Sequence, residues 1–396
     1  MRRPWPLSVV LSYAAFVLVG LSAGVGGVLL PAQIRDYDVD MTTIGLTFFT
    51  FSAGFFLAGA STGAIVGRLG TRSALLAGGT GFLVAELITA ARPSFAALVG
   101  LQVLAGYGIG VLESVLNVYL SSLSSATVLL NRLHAFFGVG ALLGPLLAAW
   151  MLRSWRWTAV FGVLAVLTAA LLAGFALVLP GGHVRAPRSA APRAPRAPRD
   201  RLLADVLRRP AVMLAAAFLS VYVGLEVSVG NWAFTYLVQD QGQVALAAGY
   251  AVSAYWLGLT VGRFVISPTA RRLGLTPQRM MLCCLAGVIG ATGVTWALPG
   301  PLAGAGFALL GFFLGPLFPT AMALVPDLAP AALVPTAIGV LNGVSVVGGA
   351  ALPWLAAAIA QGVGIWTLLP YVAVLGAAQL VLWRAAVGRA EVRAAR

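Results

Sequence analysis

The sequence predicts an all-α membrane protein, with twelve transmembrane helices in two pseudo-symmetric six-helix bundles and with N- and C-termini both cytoplasmic. Three observations predict this fold. The 396 residues are 60% hydrophobic and 9% charged, with a mean hydropathy of +0.96, whereas soluble domains carry about a quarter charged residues. Apolar runs longer than about 18 residues recur along the whole chain, each long enough to cross a bilayer core. Segments at a near-constant separation also resemble one another, which divides the runs into two like halves.

The first run, 8–34, follows the basic start "MRRPWP". It continues past about 20 residues with no A-x-A cleavage pattern, so it is expected to remain as a helix of the mature chain. Runs at 43–66, 73–91, 95–121, 131–151 and 157–179 complete the first half. The one long polar segment, "PGGHVRAPRSAAPRAPRAPRDR" (180–201), follows. Its R-A-P units bury no core, and its prolines favour an extended linker. Runs at 211–238, 245–267, 276–297, 301–325, 333–359 and 364–386 make the second half. The domain reading is an N-terminal bundle over 1–180, a cytoplasmic Arg/Pro-rich linker over 181–210 and a C-terminal bundle over 211–396.

A net charge of +14 invites a nucleic-acid reading, but the distribution points to a membrane. All 25 basic residues are arginine, and with a cytoplasmic N-terminus only Arg35, Arg92, Arg153 and Arg156 fall outside. Asp36, Asp38 and Asp40 share the first outer loop. This is the positive-inside bias of a polytopic protein of the cell inner membrane, so membrane lipid is an expected partner and nucleic acid is not. The adjacent Cys283 and Cys284 share one span and read as small apolar filler rather than a disulfide or a metal site.

The halves are related residue by residue. "VGLSAGVGG" (19–27) aligns with "VGLEVSVGN" (223–231) at an offset of 204. At the same offset Gly54 meets Gly258, and "RLG" at 68–70 meets "RLG" at 272–274. "GYGIG" (106–110) matches "GFFLG" (311–315), and Pro145 matches Pro353 at 208. Such a pattern implies two parallel repeats related by an axis along the membrane normal, with the substrate path near the midplane between them.

Twelve spans in two repeats, with a basic loop between spans 2 and 3, resemble the major facilitator superfamily. The loop segment is "GAIVGRLGTRS" (63–73), with Gly67 where the family's motif has an aspartate. "GVLESVLN" (110–117), "HAFFGVGALLGP" (134–145) and "VGLEVSVGNW" (223–232) resemble the fucose/glucose–galactose permease branch of sugar:proton symporters. The resemblance implies the superfamily fold, alternating access, a small-molecule substrate moved with protons, a monomer and no cofactor. It also implies that spans 1, 4, 7 and 10 line the cavity, with 2, 5, 8 and 11 flanking them.

A charged side chain at a helix centre costs about 2.5–3.5 kcal/mol on insertion scales, so intramembrane ionisable groups tend to face a cavity or a partner. Glu113 on span 4 shares a helical face with Asn117, and Gln102 and Gly106 continue that stripe. His134 on span 5 starts from the side where span 4 ends, so Glu113, Asn117 and His134 are candidate neighbours. Glu226 on span 7 faces either the cavity or Arg263 on the next helix. Glu86, on a peripheral span, reads as a packing residue. The candidate proton-coupling groups are Glu113, Glu226 and His134. Span 1 carries no acid, unlike the sugar permeases, and Glu226 is the candidate for that second role.

Hexoses present hydroxyls around an apolar ring face, so a sugar site needs amides and an aromatic platform. The candidates are Gln102, Asn117, Asn231, Trp232, Tyr255, Trp256 and Asn342. Arg263, Arg68 and Arg72 are candidates for gating or charge pairing. No Walker loop, G-x-S-x-G elbow or metal-spaced His/Cys set occurs, so neither an ATP-driven pump, an enzyme nor a metal site is expected. The leading reading is a secondary transporter of a small neutral polar solute, a monosaccharide, coupled to protons. The alternative is a proton-driven multidrug or metabolite exporter, suggested by the glycine–proline pattern "GVGALLGP" (138–145) and by the acid missing from span 1.

Overall fold

A computed structural model describes residues 6–123, 125–179, 199–298 and 300–394, and among them no strand occurs. The helices are α1 Leu7–Tyr37, α2 Met41–Ile44, α3 Leu46–Ala90, α4 Phe95–Ser121, α5 Ala126–Met151 and α6 Thr158–Val178. After them come α7 Arg199–Leu207, α8 Pro210–Gln239, α9 Ala245–Arg272, α10 Pro277–Ala297 and α11 Ala303–Leu314. The last four are α12 Leu317–Ala323, α13 Val325–Leu328, α14 Val334–Val363 and α15 Leu368–Ala394. Residues 181–198 of the linker segment lie outside the described residues, and its remainder includes the short helix α7.

The chain divides into two compact units, Met1–Ser189 and Ala190–Arg396. In the first, α1 packs on α5 and α6, and α3 packs on α4 and α6. In the second, α8 packs on α14 and α15, α9 on α11, and α10 on α11 and α15. The same pairing scheme is thus used twice.

Glycine brings the paired backbones together. A Cβ on Gly54 would overlap the Val103 carbonyl of α4, and one on Gly106 would overlap the Phe51 carbonyl of α3. The repeat mates behave alike, Gly258 against the Ala308 carbonyl and Gly311 against the Tyr255 carbonyl. Between α1 and α5, Gly20 meets Phe137 and Gly140 meets Val17, again at carbonyl oxygens. In lipid, where apolar side chains gain little by leaving hydrocarbon, this close van der Waals approach is what binds helices. Proline adds to it. Pro145 has no N–H for the Ala141 carbonyl, and that is the oxygen Gly24 packs on. Pro316 likewise deprives the Phe312 carbonyl, which Gly262 covers, and there the run expected over 301–325 breaks into α11 and α12.

Among the described residues 11 stretches are long and apolar enough to cross a membrane, because Met41–Ala90 counts as one of 50 residues. Its main part, α3, has 45 residues and one non-helical position, Gly70, at φ 78° and ψ 168°. A helix of that length spans about 68 Å, more than twice a bilayer core of about 30 Å. Gly274, the mate of Gly70, also has positive φ, at 69°. The shared "RLG" thus places a positive-φ glycine at the same position in both units, a backbone state glycine enters without strain.

A polar corner closes the end of unit 1 where α1 stops. Arg92 binds the Asp36 carboxylate at 2.8 Å and donates to the Asp36 carbonyl at 2.8 Å. The Trp157 indole N–H donates to the same carboxylate at 2.9 Å, and Tyr37 bonds the Pro93 carbonyl at 2.9 Å. The Asp36 hydrogen bond raises the guanidinium pKa of Arg92 above its ordinary value. Three connections are tied at one point.

Replacing Gly106 by Ala is expected to lower stability by about 1–3 kcal/mol, the cost of overpacking a site whose neighbour is backbone. Gly59→Ala, on the same helix pair but with nothing near the added methyl, should instead raise it by up to about 1 kcal/mol through helix propensity. Thermal unfolding of the purified protein in detergent compares the two.

Candidate functional site

In unit 1 the site residues lie on α4 and α5. The face of α4 carrying Val111, Leu112, Val115 and Leu116 is buried in the apolar core with Phe16 and Phe175. Glu113, half-buried, emerges beside it. Among the described residues its carboxylate makes no hydrogen bond or ion pair, although its main-chain carbonyl accepts from the Asn117 side chain at 2.9 Å. Gly106, placed by helical spacing on the same stripe as Gln102 and Glu113, is sealed against α3. The stripe is therefore open only near its ends, where Gln102, Glu113 and Asn117 are each half-buried. His134 is exposed, and its ring stands edge-on to Phe16 with centroids 5.5 Å apart. No ion pair joins it to Glu113 among the described residues.

Unit 2 holds a tighter cluster. Arg263 of α9 reaches Glu226 of α8, Nη2 to Oε1, at 3.7 Å, with the side chains 27% and 15% exposed respectively. The fully buried Tyr222 hydroxyl lies beside both. Tyr255, also fully buried, donates to the Glu226 main-chain carbonyl at 3.2 Å. Close approach of α9 to α11 through Gly258 and Gly262 fixes the level of Arg263, whose own backbone nitrogen abuts Gly315. Tyr222 was not among the sequence candidates. Its position four residues before Glu226, hence on the same helical face, was the available signal.

The other candidates separate by burial. Trp232 is completely buried and donates its indole N–H to the Pro353 carbonyl of α14 at 2.9 Å. Trp256 is buried with its ring against Gly230. In this conformation Trp232, Tyr255 and Trp256 hold helices together and expose almost nothing. Asn231 is half-buried and bonds its own helix at Val227, while Asn342 is exposed. Arg72 donates to the Ala176 carbonyl at 2.6 Å, satisfying one of the carbonyls left free at the end of α6. Arg68 is exposed.

Glu86 is buried between α3 and α6 and accepts a hydrogen bond from Thr168 at 2.7 Å. No group of three or more potential metal ligands occurs among the described residues, and Cys283 and Cys284 are free thiols.

Two repeated helical units with isolated ionisable groups in their spans define a polytopic carrier class. The profile of the Major Facilitator Superfamily matches residues 12–353 and again 232–394, and the chain belongs to that family. It is a multi-pass membrane protein of a transporter family, not an enzyme family. Among curated relatives, Bypass of stop codon protein 6 of Saccharomyces cerevisiae is 26% identical, over 91% of this chain and 78% of its own. The glucose/galactose transporter of Brucella abortus is 23% identical, over 88% of this chain and 87% of its own. Among solved structures, a D-xylose–proton symporter has a TM-score of 0.74 at 15% identity, covering 95% of this chain and 97% of its own. That likeness establishes the fold.

Removing one partner of a partly buried ion pair strands the other charge, which costs up to about 3–5 kcal/mol when burial is complete. Glu226 and Arg263 are partly exposed, so Glu226→Gln or Arg263→Gln alone should cost about 1–2 kcal/mol, between the limits for exposed and for buried pairs. The double variant should recover most of the loss. Thermal melts of the three proteins check this, and equal, additive losses would show that the two charges do not interact.

Proposed function

We propose that this protein is a secondary active transporter of a small neutral hydroxylated solute, a monosaccharide, moved with protons by alternating access. The observation that carries the reading is the unpartnered Glu113 carboxylate, half-buried on α4. An intramembrane acid with no structural partner is costly, and proton relay is what such groups commonly serve. A carboxyl group that meets water in one conformation and a drier wall in another changes its proton affinity between the two. Glu226, paired loosely with Arg263 beside Tyr222, is the second coupling group. Protonation of Glu226 would release Arg263, so the pair would join proton load to helix α8–α9 geometry. His134 would assist from α5.

The half-buried amides of Gln102, Asn117 and Asn231, with the exposed Asn342, are the hydrogen-bonding groups for solute hydroxyls. Trp232, Tyr255 and Trp256 would serve by shaping the wall, or by exposure in another conformation. Arg263 is the gating charge. Arg68 and Arg72 would act at the loop after the second span, where the family's acid is replaced by Gly67.

Counting α3 as two spans that meet at Gly70 would make twelve, and the arginine bias supports cytoplasmic termini. The functional division is an N-terminal bundle over 1–180, a linker over 181–210 and a C-terminal bundle over 211–396, acting as a monomer in the cell inner membrane. The relative named as a glucose/galactose transporter supports the sugar assignment. The exporter reading is second. It is favoured by the glycine–proline pattern on α5, but Gly140, Gly144 and Pro145 are all occupied in contact with α1.

In proteoliposomes, an imposed inward proton gradient should drive accumulation of a labelled hexose. Glu113→Gln should reduce uphill accumulation by about 10²-fold or more, the usual scale for loss of an essential acid–base group, with hexose counterflow retained. Loss of both activities in a folded variant would assign Glu113 to binding. Outward solute movement against an inward proton flux would establish the exporter.

A further inference from the structure

Unit 1 contains a cavity of about 680 Å³ that the transport reading does not use. One face of α1, Val10, Tyr13, Ala14 and Val17, forms one side, and Arg132 and Phe136 of α5 form the other. The spacing 10, 13, 14 and 17 is a single helical stripe. The Tyr13 and Phe136 rings stack with centroids 4.9 Å apart and planes 16° from parallel. Arg132 lies beside the Tyr13 phenol.

We propose that this cavity holds an anionic bilayer phospholipid, with its phosphate at Arg132 and the start of an acyl chain along the α1 stripe. The lining decides against a sugar. A hexose needs a partner for nearly every hydroxyl, and burying one unpaired costs about 1–3 kcal/mol. This wall offers one phenol and one guanidinium, and everything else is aliphatic or aromatic. A single cation beside a continuous apolar groove matches a molecule with one anionic group and a hydrocarbon chain.

Depth agrees with chemistry. Tyr13 is six residues into α1 and Arg132 six into α5, which puts both about 9 Å along their helices. Both thus lie near one end of a membrane-spanning helix, the part of a span where aromatic rings and snorkelling arginines concentrate. Val10, Phe136 and Arg132 are themselves exposed, so the groove is accessible from its surroundings.

The test is native mass spectrometry of the full chain extracted from nanodiscs of phosphatidylglycerol or of phosphatidylcholine. Wild-type protein should retain one phosphatidylglycerol. Arg132→Gln should cut that retention about fivefold, the effect of one cation near a charged membrane surface, and Arg132→Lys should largely keep it. Phosphatidylcholine retention should not respond to either change. Equal retention of phosphatidylglycerol by wild type and Arg132→Gln overturns the proposal. So does Arg132-dependent retention of dodecyl phosphate, added as a free amphiphile, without retention of phosphatidylglycerol. If Arg132→Gln fails to fold, Ala14→Trp fills the groove and leaves the charge in place. Wild-type retention in that variant overturns the proposal, and its loss supports it.

Discussion

Where Gly54 meets the Val103 carbonyl and Gly106 meets the Phe51 carbonyl, α3 and α4 have no side chain between them. The two backbones touch, and every residue on either helix takes its height and direction from that contact. Gly258 and Gly311 set the same relation for α9 and α11. Lipid supplies little hydrophobic drive for helix association, so surface matching must supply it, and nothing matches more closely than two main chains. The prolines fit this scheme, since the carbonyls they leave without an N–H are the ones Gly24 and Gly262 approach. A weak Cα–H···O contact is what such geometry permits.

On this frame the polar groups sort by how they are satisfied. Glu86 is bonded to Thr168 within a helix interface. Trp232 ties α8 to α14 through Pro353, and Arg72 ties α3 to the end of α6 through Ala176. These are structural. Glu226 and Arg263 are intermediate, at 3.7 Å apart and partly exposed, close enough to attract and far enough to part. Of these carboxylates, Glu113 is the one without a partner among the described residues. A group held for structure has its bonds made, whereas one held for chemistry has bonds still to make.

Much of the fold was legible because its determinants are backbone facts. The glycines at 54 and 258, the "RLG" pair and the apolar runs say where helices touch and turn without reference to side-chain conformation. The pairing of Glu226 with Arg263 was legible as one of two options, since two opposite charges on successive helices have few other partners. Three things were not legible. Trp232 has the same apolar body and polar tip whether it lines a cavity or ties two helices. Gly106 lies on the stripe of Glu113, and helix crossing alone seals one and leaves the other open. The groove at Tyr13, Arg132 and Phe136 joins residues more than a hundred positions apart that carry no motif.

The matched glycines Gly70 and Gly274, both at positive φ, bear on how such a chain came to exist. Three identical residues at a shared offset, ending in a glycine of positive φ each time, are most simply inherited from a single six-helix ancestor copied and joined in tandem. After doubling, each copy was free to drift wherever backbone contact did not forbid it. The glutamate at 226 aligns in sequence with a serine at 22, so the two copies kept a common scaffold while their chemistry parted ways.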